Sequence, residues 1–61
     1  MRYTVINENT KNTELKTNNS MELYDFEMRH NCNNNTVYRV ISSEKYYIYS
    51  YKSGYTIYVT K

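Results

Sequence analysis

Residues 20–31 read SMELYDFEMRHN, and whether they form a helix or a strand decides the fold class. Asn19 and Glu22 make a capping-box pattern, and Arg29 and His30 stand where a helix C-terminus favours positive charge. On a helical wheel, however, Met21, Tyr24 and Met28 share one side while Leu23 and Phe26 fall on the other, so no single apolar stripe emerges. As a strand, Tyr24, Phe26, Met28 and His30 alternate with Asp25, Glu27 and Arg29. That alternation favours a strand and an all-β fold; a helix over residues 20–30 would make the fold α+β.

Working outward, residues 2–6 (RYTVI) alternate as a first strand, with Tyr3 and Val5 on one face and Thr4 and Ile6 on the other. Residues 7–20 are polar except for Leu15 and read as a long loop, unusual in a small domain. Residues 31–35 (NCNNN) read as a turn, since Asn tolerates left-handed backbone angles. Residues 36–43 (TVYRVISS) carry apolar side chains on both faces and are expected as a central strand. A hairpin over residues 45–61 completes the chain. The expected architecture is a single small domain, residues 1–61, built as a small antiparallel sheet or open barrel of about four to five strands in meander order.

The hairpin concentrates the tyrosines. Residues 46–61 (YYIYSYKSGYTIYVTK) hold six of the nine in the chain. Gly54, the only glycine, sets the register. A three-residue loop, Lys52-Ser53-Gly54, pairs Tyr51 with Tyr55 and puts Tyr47, Tyr49 and Tyr51 on the face of Tyr55, Ile57 and Val59. A two-residue loop, Ser53-Gly54, instead brings Ile48 to Ile57 and Val59 and leaves Tyr47, Tyr49, Tyr51 and Tyr58 together. Turn chemistry favours the first register, because glycine suits the third loop position and serine tolerates a positive φ poorly. The hydrophobic pattern favours the second. In either case both faces of the hairpin are rich in large side chains, more than 61 residues can cover.

Composition explains why tyrosine matters. The chain has four Val, four Ile, two Leu and no Ala, so aromatic rings must supply buried area, with their hydroxyls at water or at an interface. Small domains bury a modest fraction of their surface, and a single cysteine, Cys32, excludes an internal disulfide. There is no secretory leader pattern and no apolar run long enough to span a bilayer, so a cytoplasmic location is expected. Two glycosylation-type sequons, at Asn18 and Asn34, are what nine asparagines produce by chance. Phe, Tyr, Met, Ile, Asn and Lys make up 31 of the 61 residues, which implies AT-rich coding DNA and suggests a phage or mobile-element origin.

Candidate chemistry is sparse. His30 and Cys32 are metal-ligand types, but two ligands do not make a tetrahedral site, and they lack the orienting third group of a catalytic triad. Asp25 and Glu27 read as a solvated face rather than an acid/base pair. No enzyme activity, metal or cofactor is expected. Charge is uneven: residues 8–27 carry five acids and two lysines, whereas residues 45–61 carry Lys45, Lys52 and Lys61 and no acid.

The expected function is a non-catalytic inhibitor or adaptor that binds a larger host protein, in host takeover or anti-defence, within the host cytoplasm. Its expected binding residues are Tyr46, Ile48, Tyr49, Tyr58, Lys45 and Lys52. Single-stranded nucleic-acid binding through the same aromatic and basic residues is an alternative, although a net charge of +2 is low for it. A self-associating accessory protein, forming a homodimer through an exposed edge strand, is a third.

Overall fold

The computed structural model describes residues 2–61. Five antiparallel strands, β1 (Tyr3–Asn7), β2 (Asn12–Thr17), β3 (Val37–Ser42), β4 (Tyr46–Tyr51) and β5 (Tyr55–Thr60), form one sheet, with a single helix, α1 (Ser20–Arg29), between β2 and β3. The order across the sheet is β2-β1-β5-β4-β3. A hairpin (β1–β2) and a three-strand meander (β3–β4–β5) thus join where the first and last strands pair, at the centre.

Residues 20–29 are helical, not extended, and the fold is a five-stranded antiparallel sheet with one helix. The capping signal proved the stronger. Asn19 Oδ1 accepts from the Met21 N–H at 2.9 Å. Glu22 does not reach back to Asn19, as a simple capping box would have it. Instead Thr17, buried at the end of β2, accepts the Asn19 N–H at 3.0 Å and donates its hydroxyl to Glu22 at 2.7 Å. The other end closes as a Schellman motif: Asn31 adopts a left-handed φ of 57°, and the Cys32 N–H bonds back to the Glu27 carbonyl at 2.9 Å. The split apolar faces have a plain outcome. Leu23 and Phe26 pack into the core, while Met21, Tyr24 and Met28 are exposed.

The long polar loop expected at residues 7–20 contains β2. Its turn is closed by a backbone bond from Lys11 N–H to the Asn7 carbonyl at 2.6 Å, and Asn7 Oδ1 accepts from Asn9 N–H at 2.9 Å. Lys11 holds a left-handed φ of 64°, a conformation that turn signals assign to glycine or asparagine. Only Leu15 and Thr17 of β2 face inward. The rest of the strand is polar and exposed, which is how it escaped the pattern of alternating apolar residues.

Residues 37–42 form an edge strand, not the central one their two-sided apolar pattern suggested. The 31–35 segment is a turn, tied by Thr36, whose hydroxyl donates to the Asn31 carbonyl at 2.8 Å and accepts from Asn33 N–H at 2.9 Å.

The hairpin takes the three-residue loop. Tyr47 pairs with Val59 and Tyr49 with Ile57, Gly54 has φ 98°, and its N–H bonds to the Tyr51 carbonyl at 3.0 Å. This register places Tyr49, Tyr51, Tyr55 and Ile57 on the face that the helix covers. Val5, Leu23, Cys32, Tyr51 and Ile57 form the buried centre, with Tyr3, Leu15, Phe26, Val37, Tyr49, Tyr55 and Val59 packed around them. Tyrosine does supply core area where aliphatics are few.

Candidate functional surface

The face of the sheet turned away from α1 is fixed by the same register. Thr4 and Ile6 of β1 pair with Tyr58 and Thr56 of β5, which in turn pair with Ile48 and Ser50 of β4. Ile48 pairs with Ile41 on β3, so Ile6, Ile41, Tyr46, Ile48 and Tyr58 share this face. Tyr46 and Tyr58 meet edge to face, ring centroids 5.8 Å apart. Together with Thr4 and Ile6 they line a shallow, mostly apolar depression of about 230 Å³. Lys16, opposite Thr4, and Arg39, opposite Ser50, stand on the two edge strands of the same face.

Of the expected binding residues, Tyr46, Ile48 and Tyr58 are therefore brought together. Tyr49 is not: it pairs with Ile57 on the helix-covered face and packs against the core. Odd and even positions of a strand point to opposite sides, so Tyr49 cannot join Tyr46 and Ile48. Lys45 and Lys52 flank β4 at its two ends, separated by roughly 20 Å of strand, and make no single basic patch. Lys61 lies on the opposite side of the sheet, its Nζ 4.6 Å from the Tyr47 ring centroid and 2.9 Å from Ser42 Oγ.

The strongest concentration of exposed apolar side chains lies at one side of the molecule. Of the eight exposed large apolar residues among those described, Tyr38, Val40, Ile41, Tyr46 and Tyr47 belong to β3 and β4, with Ile41 and Tyr46 on the outward face and Val40 and Tyr47 on the helix side; the other three are Met21, Tyr24 and Met28 on α1. Tyr38, Val40 and Ile41 stand on β3, the strand expected to be central, and were not foreseen as part of an exposed surface.

His30 and Cys32, the two metal-ligand types, each have a partner within the fold. The His30 ring stacks on Phe26 with centroids 4.1 Å apart, and its Nδ1 lies 3.2 Å from the Tyr55 hydroxyl. Cys32 is buried, with Sγ 3.5 Å from Ser53 Oγ, and burial pushes its thiol pKa up, the opposite of what activates a nucleophile. Burial also raises the Glu27 carboxyl. Tyr51 is pushed up to about 12, chiefly by burial and further by the nearby Glu27, Cys32 and Tyr49. Among the described residues, no group of three or more His, Cys, Asp or Glu could hold a metal ion, and no helix is long and apolar enough to cross a membrane.

Comparison with known proteins finds no match to a family model, to a curated protein or to a solved structure.

Proposed function

We propose that this chain is a non-catalytic protein-binding module whose docking surface is the outer part of the sheet, β3 and β4 with Tyr58 of β5. The observation that carries this reading is the group of Ile6, Ile41, Tyr46, Ile48 and Tyr58 on the one sheet face turned away from α1, with Ile41 and Tyr46 exposed. Isolated exposed apolar residues need no explanation, but a contiguous group does. Tyrosine is also the side chain favoured at interface cores, and lysine is depleted there. A composition that points to a phage or mobile-element gene gives the module a setting: an inhibitor or adaptor that occupies a surface of a host protein in the cytoplasm.

The test is affinity capture from host lysate with the wild-type chain and with the Tyr46→Ala/Tyr58→Ala variant. Tyr46 is exposed and Tyr58 half-buried, so the variant is expected to fold, which a circular dichroism spectrum checks. The expected result is one discrete protein retained by wild type and lost by the variant. Identical eluates would overturn the reading.

Lys16 and Arg39, on the same face as Tyr46 and Tyr58, favour a second reading, single-stranded nucleic-acid binding. The two charges sit on opposite edges of a five-stranded sheet, roughly 19 Å apart at ordinary strand spacing, and define no continuous phosphate track. Binding of a labelled oligonucleotide that weakens steeply with salt would favour this second reading.

A further inference from the structure

We propose that the outer edge of β3 takes an extended acidic segment of a partner protein as a sixth strand of the sheet. This rests on the protein-binding reading above and names how the partner engages. The two edges of the sheet differ. β2 shows Glu14 and Lys16 and has α1 beside it, with the Thr17–Glu22 bond tying helix to strand. Charged, covered edges resist strand addition. The β3 edge is uncovered and carries a single charge, Arg39, while Tyr38, Val40 and Ile41 are 61%, 57% and 41% exposed.

The backbone there is ready to pair. The Ser43 N–H bonds to the Tyr46 carbonyl at 2.8 Å, and bonded positions alternate along an antiparallel ladder. Arg39 and Ile41 therefore bond to β4, whereas Val40 and Ser42 turn their N–H and C=O groups outward. The bulge at Tyr38 lies before this stretch, so pairing from Arg39 to Ser42 is regular. An added strand finds a free row of donors and acceptors, the arrangement that β-strand addition uses.

Charge selects what adds. Residues 37–61 carry Arg39, Lys45, Lys52 and Lys61 against Glu44 alone, a net of +3 by subtraction. A second copy of this chain pairing β3 with β3 would bring two such +3 regions together. An acidic strand places a carboxylate across from Arg39, a cross-strand pairing that stabilises. Apolar residues alternating with the acids would fall on the other face, beside Val40.

The probe is an eight-residue peptide of alternating Val and Glu, with its Val–Lys counterpart as control, read by amide hydrogen exchange and by fluorescence titration on the whole chain. The Val–Glu peptide is expected to bind and to slow exchange at the Val40 and Ser42 amides. Arg39→Glu, a change at an exposed side chain, is expected to weaken that peptide by roughly tenfold and to admit the Val–Lys peptide. The inference is overturned by three results: no binding, protection on β2 instead of β3, or protection of Val40 and Ser42 that rises with protein concentration in the absence of peptide, which marks self-pairing. Any of these leaves the capture experiment with Tyr46→Ala/Tyr58→Ala to decide the broader reading on its own.

Discussion

At the scale of single residues, environment sets opposite jobs for chemically identical side chains. Tyr51 and Tyr46 lie on one strand, yet Tyr51 is buried and Tyr46 exposed. Tyr51 ionises in the folded state only near pH 12, against about 10 for an unfolded tyrosine. A raised folded pKa favours the neutral phenol, so its contribution is complete below pH about 10 and is lost as pH rises toward 12. The expected outcome is an alkaline loss of roughly 2 to 3 kcal/mol from this residue. Tyr51→Phe should move the alkaline unfolding midpoint upward, with stability measured by urea titration from pH 8 to pH 12. Gly54 has an equally local role. At φ 98° an added Cβ would also approach Asn9 Nδ2 at 3.0 Å, so Gly54→Ala is expected to cost about 1 to 3 kcal/mol in the same assay.

Among the elements, legibility followed how local the deciding signal was. The final hairpin was readable in outline, and turn chemistry at Gly54 pointed to the register the structure has. The first strand was equally plain in Tyr3–Ile6. β2 was hidden because its turn uses Lys11 at a positive φ and because Leu15 alone interrupts its polar run. The helix was written in Asn19 and Glu22, but its apolar residues serve two destinations, Leu23 and Phe26 the core and Met21, Tyr24 and Met28 the surface. A wheel that expects one stripe misreads such a helix. Thr17 was silent in the sequence because its partners lie on the next element. It carries a prediction: Thr17→Val keeps the shape but removes the acceptor for the Asn19 N–H and the donor to Glu22. A loss of about 1 to 2 kcal/mol is expected, seen as a lower urea midpoint and faster amide exchange in the first helical turn.

For the whole molecule, size is the governing constraint. One helix covers one face of five strands, and the other face and the β3 edge remain in water. The face partition of the tyrosines was legible only as two alternatives, and register resolved them: Tyr49 moved to the core side, while Tyr46, Ile48 and Tyr58 stayed together. The identity of the edge strands was not legible, since pairing between the first and last strands depends on contacts far apart in sequence. That pairing makes β5 central and leaves β3 outermost. Ile57 and Val5, opposite one another on the two central strands and almost wholly buried, anchor the joint. Ile57→Ala is expected to cost about 2 to 5 kcal/mol, enough to unfold much of a domain this small at room temperature, as a circular dichroism melt would show.

The central claim is that the tyrosines facing the helix hold the fold while those facing away dock a partner protein. Site-specific photocrosslinking addresses it most directly, with benzoylphenylalanine placed at Tyr46 on the outward face or at Tyr24 on the helix, in cell lysate. The account predicts a discrete protein adduct from position 46 and none from position 24. An adduct from position 24 alone, or a nucleic-acid adduct at position 46, would contradict it.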